Sequence, residues 1–560
     1  MKTLDISLFI LLALFFFAPS YAQTGNYFAG SGAGISIGHS FANYNTFVGD
    51  SAGRSMFSGA FGTFVGKNAG FSLNNDTDNT ILGSWANRFG TTGIDNVIIG
   101  ARAGYRNNAS DVVIIGNMAG YHHTTGTDVT FIGEDAGYMN TTGSDNVFVG
   151  EDAGYNNTTG GDNTFLGNTA GRQNTTGYRN TAIGNEALFD LGGPNNTDAH
   201  HNTAVGDSAG IDNGSGIFNT FIGAAAGAAT EAANENTFIG AYAGYDNDRI
   251  TSSGGTATSG RNTYMGFNCA RFTRGGYDNV GMGARAYQTG FASGLFRVRN
   301  RTTFIGAAAR VYADDAIVFG YEADTRKQYG IAIGTEANSD GVNSIAIGYQ
   351  ATVTSDNSIM LGNAAITSIR GHVNFTATSD GRMKSDVQEN VPGLDFINTL
   401  RPVTYQMDME NEYALRDDTI PGGLAEALEA KKDIRYSGFI AQEVEQAAQT
   451  LGYEFSGVEA PEDSSQLYGL RYAEFVVPLV KAVQELNQKV DQQQQIMLSQ
   501  AEQIEKYEQV LAQQQLPSQE EKIMAYEQQL AEYQKMLSSL TARMNAMEES
   551  QAQSYLSSNE

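Results

Sequence analysis

The sequence predicts a mainly β repeat solenoid, then a small α+β domain and a C-terminal coiled coil. Three observations lead to this prediction. A short glycine-punctuated unit recurs at a nearly constant spacing up to residue 364. A segment that mixes short apolar runs with polar loops follows it, and apolar residues then recur every seven positions towards the C-terminus.

Composition and charge limit the classes of function. The length of 560 residues allows several domains, and a hydrophobic content of 41% is typical of an ordered chain. The formal net charge of −27 opposes binding to nucleic acid phosphates, so we expect no nucleic acid partner. The single cysteine, Cys269, excludes an internal disulfide; it occupies a repeat position usually held by alanine, which predicts a small buried side chain.

The N-terminus predicts a secretory signal peptide over residues 1–22. Lys2 supplies the positive charge, residues 6–18 form a short apolar core, and Ser20-Tyr21-Ala22 places small residues before a cleavage point at Gln23. An N-terminal membrane anchor is the alternative. Because no second apolar run has transmembrane length, we expect a mature chain without a transmembrane anchor, secreted or at the cell surface.

Residues 23–364 carry the unit Asn-Thr-Phe-Ile-Gly-x-x-Ala-Gly with variations. Its first glycine recurs at steps close to 17 residues up to Gly184, and at 14 residues from Gly306 to Gly362. The apolar run of Thr, Val, Ile and Phe favours a strand, and the unit is too short for a helix pair. One solenoid turn per unit is therefore predicted.

Parallel stacking of these turns aligns equivalent side chains in columns, one of asparagines and two of apolar residues. Asparagines such as Asn146, Asn163 and Asn180 would align as amide ladders. Two apolar neighbours, such as Phe47 and Val48, precede each glycine and point to opposite faces of the strand. One apolar column fills the interior and the other needs a second surface, which favours a closed oligomer.

The 14-residue units resemble the head repeats of trimeric autotransporter adhesins, and residues 343–351 show the characteristic part of one unit. The resemblance is specific over residues 306–364 and looser for the 17-residue units. It implies a trimeric parallel β-roll or β-helix and a surface location.

No cofactor and no metal site is predicted. The Asp- and Asn-rich loops offer oxygen ligands, but they carry no nonapeptide calcium motif, and calcium binding stays open. The pairs His122-His123 and His200-His201 are predicted to be surface residues in variable loops.

Residues 379–384 read Ser-Asp-Gly-Arg-Met-Lys. A serine and a lysine held close together form a nucleophile–base pair when desolvation lowers the pKa of the lysine. The spacing alone is common on solvated surfaces. An intrachain attack by Ser379 on the Thr378 carbonyl passes through a five-membered ring, which favours the Thr378–Ser379 bond. The Ser379–Asp380 bond stays open if a serine of another chain attacks.

The hexapeptide resembles the Ser-Asp-x-Arg-x-Lys signature of the endosialidase-type intramolecular chaperone, an autoproteolytic domain at the end of phage tail spikes and fibres. The resemblance implies that Ser379 is the nucleophile and Lys384 the base of self-cleavage, with Asp380 and Arg382 shaping the site. It also implies a chaperone that trimerises, guides folding of the fibre in front of it and is then released.

Two further blocks resemble the same domain, over roughly residues 379–490. These are Gly-Phe-Ile-Ala-Gln-Glu-Val at 438–444 and Tyr472 followed by an amphipathic helix. A neck at 365–378 precedes the domain.

Heptads predict a coiled coil over residues 491–560, continuing the helix of the preceding domain. Val476, Val483 and Val490 begin a seven-residue series, and a second series starts at Ile523 beyond Pro517. Heptads leave the number of strands open; the choice of a homotrimer rests on the two resemblances.

These observations lead to one main hypothesis and two alternatives. The main hypothesis is an exported trimeric fibre or adhesin whose C-terminal chaperone acts as an autocatalytic serine peptidase on its own chain. One alternative is an uncleaved structural adhesin, and the other is a tail-spike-type protein that binds or degrades polysaccharide. A cell-surface glycan or protein is the expected target.

Overall fold

The computed structural model describes residues 25–37, 43–192, 199–247, 259–273, 275–288, 298–415, 419–420, 423–461, 466–513 and 520–556. The predicted signal peptide and Pro517 lie outside these residues. The chain divides into two compact units, residues 1–366 and residues 367–560.

The first unit is a parallel β-solenoid, as the repeat predicts. One three-residue strand from each unit joins a 20-stranded main sheet. Its strands are Tyr27–Ala29, Thr46–Val48, Thr63–Val65, Thr80–Leu82, Val97–Ile99, Val113–Ile115, Thr130–Ile132, Val147–Val149, Thr164–Leu166, Thr181–Ile183, Thr203–Val205, Thr220–Ile222, Thr237–Ile239, Thr263–Met265, Val280–Met282, Thr303–Ile305, Ile317–Phe319, Ile331–Ile333, Ile345–Ile347 and Ile359–Leu361.

The register of the main sheet is unchanged along the solenoid. Equivalent residues of successive units pair, as Phe131 pairs with Phe148. The pairing continues across the insertion before Gly206, where Ala182 pairs with Ala204. The longer spacing between Gly184 and Gly206 therefore leaves the stack of strands intact.

Short strands on the other side of some turns form smaller parallel sheets. In the 14-residue region five of them make one sheet: Tyr287–Gln288, Arg310–Val311, Asp324–Thr325, Asn338–Ser339 and Thr352–Val353. Earlier in the chain, Asp190–Leu191 pairs with Asp212–Gly214, and Ser259–Gly260 pairs with Gly276–Tyr277.

The core of the solenoid contains the middle residue of every main-sheet strand except the first and the last, together with alanines such as Ala136. Phe131, Phe148 and Phe165 are fully buried and stack with ring centroids 5.0 and 4.9 Å apart. Their strand neighbours are only half-buried or exposed; Leu166, for example, is 44% exposed. The two apolar columns expected from the sequence are thus confirmed, as is the buried position of Cys269.

The recurring glycine has a steric reason. Gly150 has φ 137°, and a Cβ at this position would lie 2.2 Å from the carbonyl oxygen of Gly167 in the next turn. Any side chain there would push the turns apart, since non-bonded atoms do not approach so closely.

Buried asparagines form the expected amide ladder. The Asn163 side chain donates to the carbonyl of Gly177 at 2.8 Å and accepts from the backbone N–H of Asn180 at 3.0 Å. A second ladder, which the sequence analysis missed, runs through Asn140 and Asn157, where Asn157 Nδ2 donates to Asn140 Oδ1 at 2.6 Å. These bonds satisfy polar groups inside the coil.

The prediction of a surface location is wrong for His123, which is fully buried. It stands three residues after Gly120, the place that Asn140 takes in the next turn, so it occupies a rung of the second ladder. Asn140 Nδ2 donates to His123 Nδ1 at 2.8 Å, and His123 Nε2 lies 2.8 Å from the carbonyl of Gly126. This arrangement requires the neutral imidazole, and burial lowers the pKa of His123 to about 4.

We expect replacement of His123 by asparagine to reduce the loss of stability in acid. The pKa of His123 is lower in the folded state than the ordinary value of 6.5, so its contribution is intact above pH 6.5 and is lost as the pH falls towards 4. The full loss is about 3 kcal/mol. Thermal unfolding at about pH 7.5 and about pH 4.5 measures it, with His122→Asn, on the half-exposed neighbour, as the control. Equal acid sensitivity of wild type and His123→Asn would contradict this account.

The second unit contains six α-helices among its described residues. They are α1 (Leu394–Ile397), α2 (Met409–Leu415), α3 (Ala425–Lys432), α4 (Ala441–Thr450), α5 (Val476–Gln513) and α6 (Glu520–Leu556). Two antiparallel pairs accompany them: Val403–Tyr405 with Tyr436–Gly438, and Val458–Glu459 with Gly469–Leu470. The 3₁₀ turns are Gly381–Met383 and Tyr472–Phe475.

A small aromatic core holds the α+β part together. Phe396 on α1 is fully buried, against Tyr453 and Phe455 at ring-centroid distances of 5.4 and 5.0 Å. Phe475 packs on Phe455 at 4.9 Å. The start of α5 is thereby fixed to the domain.

The two long helices pack side by side. A groove of about 650 Å³ between them is lined by heptad residues of both, including Met497, Ile504, Leu530 and Leu537. Both helices carry exposed apolar side chains, such as Val483 at 59%. Within the described residues, no helix is long and apolar enough to cross a membrane.

Candidate functional site

The predicted Ser–Lys pair lies in a stretch without helix or strand, apart from the 3₁₀ turn Gly381–Met383. The turn is closed by the Asp380 side chain, whose Oδ1 accepts from the backbone N–H of Arg382 at 2.9 Å. The backbone N–H of Lys384 donates to the carbonyl of Gly381 at 3.2 Å. The sequence forms this turn because Asp is a favoured helix N-cap.

The turn brings Ser379 and Lys384 into hydrogen-bond contact. Lys384 Nζ lies 2.8 Å from Ser379 Oγ. This is the distance at which a proton passes between a nucleophile and a base. Spacing in the sequence could not establish it, because a five-residue separation brings side chains together only in particular turns.

Asp380 and Arg382 form an ion pair next to this contact. Arg382 Nη2 lies 2.6 Å from Asp380 Oδ2, and Arg382 Nε lies 3.1 Å from Asp380 Oδ1. Hydrogen bonds from the Arg382 side chain lower the pKa of the Asp380 carboxyl. The pair fixes the turn, and neither residue contacts Ser379 or Lys384 through a hydrogen bond among the described residues.

The site is open to water in the single chain. Ser379 and Lys384 are exposed, and so are the apolar side chains around them, with Phe375 93%, Val373 86% and Met383 74% exposed. A lysine becomes a base near neutral pH only when water is removed from it. The arrangement therefore has the geometry of a nucleophile–base pair, but in the single chain both side chains are exposed to solvent.

The two later sequence blocks meet in the α+β core. The Tyr472 hydroxyl accepts from the backbone N–H of Phe439 at 3.2 Å. A Cβ on Gly438 would lie 2.3 Å from that hydroxyl, which explains the glycine at this place. Arg401 Nε donates to Glu443 Oε2 at 3.0 Å, an exposed contact that the sequence analysis did not identify.

Over the described parts of the chain, no three His, Cys, Asp or Glu side chains group so as to hold a metal ion. Cys269 is buried and burial raises the pKa of its thiol to about 12, as for a packing residue rather than a nucleophile.

The fold and site define a class of protein, a β-solenoid followed by a small α+β domain with a serine–lysine contact at its start. Comparison with known families is consistent with this class. Residues 379–453 match the family described as chaperone of endosialidase. Residues 326–351 and 339–365 match two copies of the YadA head domain repeat.

These matches cover fewer residues than the segments 379–490 and 306–364 over which the sequence resembles the two families. Together they indicate a fibre or adhesin.

Among solved structures, the chain is similar to the collagen-binding domain of the Yersinia adhesin YadA. It shares 18% sequence identity, and the match covers 30% of this chain and 77% of that chain. The TM-score is 0.15. No curated protein matches the chain.

Proposed function

We propose that the chain is an exported trimeric fibre whose C-terminal region, residues 379–490, is an intramolecular chaperone that cleaves the chain at Ser379. The observation that carries the proposal is the 2.8 Å contact between Lys384 Nζ and Ser379 Oγ, at the first residues of the chaperone match. In this function Ser379 attacks and Lys384 accepts its proton. Asp380 and Arg382 hold the turn.

In the proposed function, assembly of three chains buries the Ser379–Lys384 pair, which is exposed in the single chain. Three chains in register bring the exposed side chains of Val373, Phe375 and Met383 together around the neck. Burial of these groups removes water from around Lys384, as a lysine that acts as a general base requires. Cleavage then waits for assembly, and release of the chaperone makes folding hard to reverse.

Two features support association of several chains, and the choice of three chains rests on the two family resemblances. The half-exposed outer column of the main sheet, including Leu166 and Ile347, needs a second apolar surface. Helices α5 and α6 leave apolar heptad residues uncovered, which suits a coiled coil of several chains over 491–560. Signal-peptide removal at residue 22 and secretion complete the proposal.

The N-terminus of the released C-terminal fragment tests which bond breaks. We expect a new N-terminus at Ser379, because an attack on the Thr378 carbonyl forms an ester that water hydrolyses within one chain. Edman sequencing or mass spectrometry of the fragment measures it. An N-terminus at Asp380 would instead indicate attack by a serine of another chain, and a cut elsewhere would contradict the assignment of Ser379.

An uncleaved adhesin is the second candidate, and the exposure of Ser379 and Lys384 favours it. In that case the contact is only a surface hydrogen bond. The two candidates differ in the mass of the mature protein.

A further inference from the structure

Arginine and aromatic residues form a continuous column along one edge of the solenoid. The column consists of the residue after the second glycine of each unit, or its equivalent. Its members are Arg54, Phe71, Arg88, Tyr105, Tyr121, Tyr138, Tyr155 and Arg172. The four tyrosine rings stack at centroid distances of 4.7, 5.3 and 4.9 Å, and Arg172 Cζ lies 5.0 Å from the Tyr155 ring.

The column widens into a patch around the only tryptophan of the chain, Trp85. Arg88 Cζ lies 4.3 Å from the Trp85 ring and 5.1 Å from the Phe89 ring, and Arg102 Cζ lies 5.6 Å from Trp85. Phe89 is 49% exposed, and Arg102 and Arg106 are exposed. We call these five residues the arginine–aromatic patch.

Within the part of the chain that the structure describes, the guanidinium groups of the patch have no acidic partner. Among the described residues, neither Arg88, Arg102 nor Arg106 forms an ion pair. Arginines further along the solenoid do, as in Arg172–Asp152 at 3.0 Å and Arg261–Asp278 at 2.7 Å. Unpaired cations grouped together are notable in a chain of net charge −27.

The patch ends where the charge changes sign. Two turns beyond Arg102, the same loop carries Glu134 and Asp135, and the next turn carries Glu151 and Asp152. Burial and these neighbouring carboxylates raise the pKa of Asp135. An anionic ligand is attracted to the patch and repelled by the turns that follow.

We propose that the arginine–aromatic patch binds an acidic polysaccharide, one whose sugars carry carboxylate groups. Guanidinium groups bind carboxylates through paired hydrogen bonds, and the exposed Phe89 ring offers an apolar surface to the sugar C–H groups. Arginines on successive turns lie along the solenoid axis, so a linear chain of sugars meets them in series. The choice of a polysaccharide as the ligand rests on the proposed function as a surface fibre. It does not depend on self-cleavage.

Fluorescence of Trp85 tests the proposal, because no other tryptophan contributes to the signal. The probe is an oligosaccharide of uronic acids prepared from alginate, titrated into the purified full-chain protein. We expect saturable binding that weakens as NaCl is raised from about 0.05 to about 0.5 M, since salt screens exposed charges. The double variant Arg102→Gln/Arg106→Gln should bind about tenfold more weakly or worse.

Controls separate the proposal from other accounts. Arg179→Gln, which removes an exposed arginine outside the patch, should bind as wild type does. Equal binding of a neutral maltooligosaccharide, equal binding of duplex DNA or no binding by a trimeric wild type would each overturn the proposal. Loss of the trimer in the double variant would also overturn it, because the patch would then be a subunit interface. A trimer that cleaves but does not bind the uronate leaves the proposed function intact.

Discussion

Replacing Ser379 with alanine is expected to abolish release of the C-terminal domain. The variant lacks the hydroxyl that Lys384 Nζ contacts at 2.8 Å. Loss of a nucleophile lowers such reactions by at least about 10⁴-fold, which on a gel is complete loss. The variant should still assemble, because Ser379 is exposed and its replacement by alanine removes no core packing.

Lysine variants distinguish a base from a structural partner. Lys384→Ala should slow cleavage by about 10²- to 10⁴-fold, as expected for loss of a general base. Lys384→Arg is the matched control, because arginine keeps the positive charge and donor groups but stays protonated. We expect Lys384→Arg to be as slow as Lys384→Ala. Wild-type cleavage in either variant, or in Ser379→Ala, would contradict the assigned roles.

Deleting residues 379–560 is expected to leave the solenoid aggregated or out of register. Each turn adds only three residues to the main sheet, and its outer apolar column is uncovered in a single chain. Long helices form locally and quickly, so α5 and α6 can align three chains before the slower parallel strands pair. Size-exclusion chromatography and circular dichroism of the truncated protein measure the outcome.

The full-length Ser379→Ala protein is the control for that deletion. It retains the chaperone and lacks cleavage, so it should give soluble trimers in which the solenoid is folded. Soluble, normally folded trimers from the truncated chain would show that the C-terminal region is not required for folding.

The solenoid was predictable from the sequence because its repeat is regular at the glycine and at the mid-strand residue, which is most often phenylalanine, isoleucine or alanine. The glycine before each turn is dictated by the contact between successive backbones, as at Gly150 and Gly167. The phenylalanine in mid-strand is dictated by the interior stack. Both signals recur many times, so one atypical unit does not hide them.

The second ladder and the burial of His123 were not predictable in the same way. A His-His pair in a polar loop has the composition of a surface segment, and only the alignment of His123 with Asn140 and Asn157 places it inside. The arginine–aromatic patch was missed because Arg102 belongs to the turn that follows Trp85 and Arg88. Its contact with Trp85 arises from stacking of the turns, which spacing within one unit does not reveal.

The serine–lysine pair was predictable as a pattern, but not as a working site. The hexapeptide gives the residue types and the turn, and the structure adds their contact. In the proposed function, the solvent around Lys384 depends on the other chains of the trimer, and neither one sequence nor one chain contains them.

Native mass spectrometry of the exported wild-type protein tests the central claim most directly. It measures the number of chains and the cleavage state of each chain in one experiment. The account predicts a complex of three chains that each begin at Gln23 and end at Thr378, with the C-terminal fragment released. A single chain, or a complex whose chains extend intact from Gln23 to Glu560, would contradict it.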